Sequence, residues 1–125
     1  MAMEEVTLEM VKQQYDVERA QVIDSRATGG EVVRIPLLNP MAAGPALAML
    51  ADNVAWFLEA VTGRGYRKTE EVYEVGYIVR EPGHPAYGLK VVQEADSVII
   101  SRVAILEDET IFSRYVQYLH TGMVL

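Results

Sequence analysis

The run GPALAMLADNVAWFLEAV, Gly44 to Val61, is almost wholly apolar and carries one acid, Asp52, in its middle. Packing alone would select against that residue, because an unpaired carboxylate buried in a core costs several kcal/mol. Two placements are open. Glu59 lies seven positions on and shares a helix side with Asp52, with Ala48 and Ala55 between them, so the acid could belong to a stripe that meets solvent or a second subunit. Alternatively it faces an apolar cleft, where poor solvation raises a carboxylate's basicity and reactivity. The adjacent Asn53 reads as a structural amide, or as one that orients the acid.

A second cluster is GRGYRK, where Arg64, Arg67 and Lys68 form the one dense basic group in a chain of net charge −7. It reads as a solvated loop or as a patch for anionic phosphates, which arginine binds bidentately. His84, in EPGHPAYG, reads as a turn residue that could join such a patch, and His120 has no companion nearby. Two histidines and no cysteine leave no metal-ligand cluster. Glu107-Asp108-Glu109 lacks calcium-loop spacing and reads as a solvated hairpin turn. The chain holds no Gly-x-Ser-x-Gly elbow, Walker loop or dinucleotide fingerprint, which argues against serine-hydrolase, nucleotide-triphosphate and Rossmann functions. The acidic balance argues against nucleic acid as a partner.

The elements that must hold these residues are legible in the spacing. At 125 residues, half of them hydrophobic, the chain fits one domain with a sizeable core. The acidic opening MAMEEVTLEM does not resemble a signal peptide, and Asp52 and Asn53 interrupt the longest apolar run, so no membrane span is expected. TLEMVKQQYDVERA places Leu8, Val11 and Tyr15 at helical spacing, with Thr7 as a possible cap. RAQVIDS and EVVRIPLL flank ATGG as strand, turn and strand. NPMAAGP is a loop, Pro45 suits the first turn of a helix, and Gly63 stands where a C-terminal cap belongs. EVYEVGYIVR alternates with Tyr73, Val75, Tyr77 and Val79 on one face, LKVVQEA follows, and SVIISRVAILE is apolar on both faces like a central strand. TIFSRYVQYL is predicted as the final strand. The order is then helix, two strands, one long apolar helix and an antiparallel meander, an α+β chain whose helix must be covered on most sides.

This order resembles the hotdog fold, a curved antiparallel sheet wrapped around one long central helix. ERAQVIDSRATGGEVVRIPLLNP is similar to the opening hairpin of the phenylacetate-type and 4-hydroxybenzoyl-CoA-type thioesterases, and NPMAAGPALAMLAD resembles the loop and helix start that follow it. In that family the loop carries Asn and His-Gly-Gly, and the helix then carries Leu-Ala-Asp or Leu-Ala-Glu. Here Asn39, Gly44 and Leu50-Ala51-Asp52 keep the pattern, whereas Ala43 and Pro45 replace the His and second Gly. Tyr77, Arg80 and Pro82 resemble the close of the next family strand, and the likeness runs from about Val17 to Leu119.

The resemblance implies an acyl-CoA thioesterase, a thioester hydrolase of the cytoplasm working at a cleft between subunits of a homodimer or dimer of dimers. Asp52 would be general base or nucleophile. A backbone N–H at the helix start, from Gly44 or Ala46, would hold the carbonyl oxygen, since Pro45 has none. Thr69 would hold the attacking water, or is simply a residue near a strand start. Asn39, Pro45 and Ala46 would line the substrate site, and Arg64, Arg67 and Lys68 would meet the phosphates of coenzyme A, which enters as part of the substrate with no separate cofactor. The other reading is a non-catalytic hotdog that binds an acyl or other apolar ligand or serves as an assembly module. Asp52 favours the first reading; Ala43 and Pro45 favour the second.

Overall fold

A computed structural model describes residues 8–25, 30–39, 44–63, 66–71, 75–80, 88–94, 96–102 and 110–124. Among these residues the chain is α+β, with three α-helices and a six-stranded antiparallel sheet. Helix α1 (Leu8–Gln14) leads through a short 3-10 turn (Val17–Arg19) into the hairpin β1 (Gln21–Ser25) and β2 (Gly30–Pro36). Helix α2 (Gly44–Thr62) follows, then β3 (Tyr66–Glu71), β4 (Val75–Arg80), β5 (Gly88–Gln93) and β6 (Ser97–Arg102), and helix α3 (Ile111–Thr121) ends the described chain. The strand order is β1-β2-β6-β5-β4-β3. The last four strands form a meander whose final strand returns to pair with β2, placing Val33 opposite Ile100 and Ile35 opposite Val98.

Side-chain alternation gives the sheet one core face. Val22 lies opposite Val33, Val33 opposite Ile100, and Ile100 opposite Val91, so all four point the same way. They join a single cluster with the buried faces of the helices. Helix α2 lies against β3, β4 and β5, while α3 lies against β1, β2 and the 3-10 turn. Helix α1 packs on α2. Leu47, Leu50, Val54, Phe57 and Leu58 of α2 are all buried, as the apolar run predicts. Gly63 ends this helix at φ 70°, with its N–H bonded to the Glu59 carbonyl at 2.9 Å. A residue with a Cβ adopts that left-handed conformation only at a cost.

Two expectations are corrected. The stretch expected as a final strand, TIFSRYVQYL, is helical from Ile111 onward. Its β-branched and aromatic residues suit strands. Yet Ile111, Phe112, Tyr115, Val116, Tyr118 and Leu119, all buried, recur at a period near 3.6 and form one helical face. Gly122, at φ 78°, closes the helix through a 2.7 Å bond from its N–H to the Tyr118 carbonyl. The second correction concerns EVYEVGYIVR. It is not one strand: β3 ends at Glu71 and β4 begins at Val75, with Glu71 paired opposite Gly76. The acid run Glu107-Asp108-Glu109 lies outside the described residues, as do most of the NPMAAGP loop and His84.

Opposite sides of α2 should respond differently to truncation. Leu50→Ala should lower unfolding stability by about 2–5 kcal/mol, because the neighbours of a fully buried leucine relax only partly around the cavity. Glu59→Ala, on the exposed side, should stay within about 0.5 kcal/mol. Urea unfolding of the two variants checks the contrast.

Candidate functional site

Helix α2 is buried over roughly 200° of its circumference, reckoned at about 100° per residue. The remaining stripe runs through Met49, Asp52, Trp56 and Glu59, with Ala48 and Ala60 beside it. Asp52 is half-buried there, between half-buried Met49 and Trp56, while Glu59 is exposed. The acid therefore sits on neither a core-facing surface nor an open one. Ala55, expected on this side, is fully buried.

Asn53, one residue on, turns into the core. Its side-chain NH2 donates to the Tyr118 hydroxyl at 3.0 Å, and its carbonyl oxygen accepts from the Tyr115 hydroxyl at 2.9 Å. One amide thus binds two phenols of α3 in complementary senses, and all three side chains are buried. The Phe57 ring adds an edge contact to Tyr115 with centroids 5.2 Å apart, and Trp56 lies 5.8 Å from Tyr118. Asn53 is accordingly the structural amide of the two readings offered by the sequence. Sequence reasoning misses the tyrosine partners because the β-branched and aromatic residues of their segment point to a strand. The signal that would have found them is the i, i+3 spacing of Tyr115 and Tyr118, together with a lone amide in an apolar helix.

Burial is the first cause of raised phenol pKa values at Tyr15, Tyr115 and Tyr118. Tyr115 is pushed further by its neighbours Tyr118 and Tyr15, whereas the Asn53 hydrogen bond pulls Tyr118 back somewhat.

The other expected site residues do not all converge. Gly44, Pro45 and Ala46 form the first turn of α2, so the peptide N–H groups of Gly44 and Ala46 are among those without an intrahelical partner. Proline contributes none. Asp52 is eight residues beyond Gly44 and six beyond Ala46, about 12 and about 9 Å of helix rise. Asn39 is exposed, beyond the end of β2. Arg67, Lys68 and Thr69 lie on β3, an edge strand of the sheet, and Arg64 is outside the described residues. The β3–β4 register shifts between Lys68 and Glu70, so Thr69 marks a bulge within the strand rather than its start. His120, in the last turn of α3, bonds through Nε2 to the Ala20 carbonyl at 3.0 Å, so that nitrogen carries a proton. Among the described residues no group of three or more His, Asp or Glu is arranged to hold a metal ion, and no helix is long and apolar enough to cross a membrane.

Comparison of this chain with family models, with curated proteins and with solved structures finds no match.

Two outcomes test the buried amide and phenol cluster. Asn53→Ala leaves two buried hydroxyls without their partner and should cost about 2–4 kcal/mol, against about 1–2 kcal/mol for Tyr118→Phe, measured by chemical unfolding. The phenols also make stability fall in base. The folded chain holds these protons more tightly than the unfolded chain, whose phenols titrate near the ordinary value of 10.0. Their contribution is therefore complete below that pH and is lost as pH rises toward the raised values. Absorbance at 295 nm should show these tyrosines ionising only together with loss of the near-ultraviolet circular dichroism signal.

Proposed function

We infer that this chain is a hotdog-type hydrolase of acyl-CoA or a related thioester, active in the cytoplasm as a homodimer or higher assembly, with Asp52 as general base or nucleophile. One observation carries the reading: Asp52 stands at the centre of the one incompletely buried stripe of α2, flanked by Met49 and Trp56. A carboxylate there is reachable by a substrate yet bordered by apolar surface, the setting in which it is reactive toward a thioester carbonyl or an attacking water.

The spacing along α2 sets a condition. Reacting atoms must come within about 3.5 Å. Asp52 lies about 12 Å of rise beyond Gly44 and about 9 Å beyond Ala46 of the same chain, a separation that a site shared between two copies, each supplying one of the two groups, would remove. Thr69, at the bulge of edge strand β3, and Arg67 and Lys68, on the same strand, are then the candidates for holding the attacking water and the coenzyme A phosphates. Edge strands are where two copies can join their sheets. Pro45 supports a second reading, binding without turnover, because it removes one oxyanion donor from the first turn of α2.

The test is release of free thiol from a panel of acyl-CoAs, followed with a thiol reagent, on the unmodified chain and on Asp52→Asn. Turnover should appear and should fall on the order of a hundredfold or more in the variant, with thermal unfolding little changed. Equal turnover in both would sink the assignment of Asp52. Saturable acyl-CoA binding without thiol release would select the second reading, and Pro45→Gly would then be expected to restore measurable turnover. A sedimenting species of 13.9 kDa at micromolar concentration would remove the shared site altogether.

A further inference from the structure

A separate cleft of about 690 Å³ opens where β1 begins and β2 ends. The 3-10 turn before β1 forms one wall of this open cleft, Asp96 at the β5–β6 turn another, and His120 of α3 also lines it. Its size falls within the range of about 300–1,000 Å³ typical of small-molecule sites.

Its charges are opposed and incompletely matched. Arg34 reaches Asp96 at 3.7 Å, and Arg19 reaches Asp16 at 3.8 Å. Both exceed the roughly 2.7–2.9 Å of a charge-assisted hydrogen bond, so each guanidinium retains donors for a closer partner. Arg34 is the better placed of the two. Its side chain is 33% exposed against 80% for Arg19, and its strand is hydrogen-bonded on both sides, to β1 and β6. It therefore projects from a rigid element, as a binding group should. Glu18 and Asp96 bring carboxylates to the same cleft, and Pro36 and Leu37 supply apolar lining.

The geometry points to this cleft as a binding site for a small zwitterion, a free amino acid or short peptide, whose carboxylate is taken by Arg34 and whose ammonium is taken by Glu18 or Asp96. A simple anion would meet two carboxylates as well as the arginines, and a simple cation the reverse. A molecule bearing both charges satisfies both sets and replaces the long Arg34–Asp96 contact with a bidentate one. The site is independent of Asp52 and of any thioester chemistry.

The experiment is amide-resolved NMR titration of the full chain with pooled L-amino acids and with triglycine, each against its N-acetylated, carboxyl-amidated and inorganic phosphate counterparts. Saturable shifts should appear at Gln21, Arg34 and Leu37 for at least one zwitterion, weaken tenfold or more in Arg34→Gln, and persist in Asp52→Asn. Glu18→Gln combined with Asp96→Asn should weaken the zwitterion while sparing its N-acetylated form, a readout that a general loss of folding would not produce. No saturable shift up to about 10 mM ligand would overturn the proposal. So would unchanged binding in Arg34→Gln, or equal binding of phosphate or the N-acetylated form.

Discussion

The amide of Asn53 is the contact on which the helical layer depends. It is a polar group deep in an apolar helix, and burying it unpaired would destabilise the chain. It is instead bonded by two phenols that reach it from α3, one accepting and one donating. No apolar substitution at Tyr115 or Tyr118 could meet both sides of that amide. The pairing therefore specifies which face of α3 meets α2 and at what register along it, a more demanding condition than apolar contact alone. Phe57, in contact with both rings, then packs in a place the hydrogen bonds have already determined.

That arrangement determines where Asp52 ends up. Asn53 is about 100° around the helix from it. With Asn53 turned toward α3 and the Leu50–Val54–Leu58 side buried in the core, the helix has one stripe left, and Asp52 occupies it. The position of the acid follows from the requirements of its neighbours. The adjacent pair Asp52-Asn53 thus divides its labour: the amide attaches the last helix, and the carboxylate is delivered to the rim of the core. A change at Asn53 that let α3 rotate would shift what borders Asp52 without altering α2 itself.

Much of this was legible in the sequence. The opening hairpin, α2, its proline-bearing first turn and its Gly63 terminus all follow from local chemistry, because turn glycines, caps and a long apolar run act over a few residues. Asp52 was legible as an oddity for the same reason. What escaped was set by competition between signals. In SRYVQYL the aromatic and β-branched residues favour a strand, while their spacing favours a helix, and burial against α2 decides between them. The division of β3 from β4 escaped too, since alternation carries on in register through a reversal of direction. The Arg34 cleft was illegible because its members come from four separated segments that only the tertiary fold assembles.

The strand β2 shows how those separated segments are brought together. It pairs with β1, its neighbour in sequence, and with β6, more than sixty residues away. Its alternation sends Val33 and Ile35 into the core and Arg34 to the opposite face. The same β-ladder that closes the meander onto the hairpin therefore fixes Arg34 beside Gln21 on one side and Ile99 on the other. A one-residue slip of β2 would place Arg34 in the core and Val33 outside, and burying that guanidinium against Val98 and Ile100 would be far costlier than any gain in pairing. The hydrophobic pattern that secures the register is thus also what holds the charged group at the cleft. Core and cleft thus meet on one strand, where the register that buries Val33 and Ile35 also sets where Arg34 emerges.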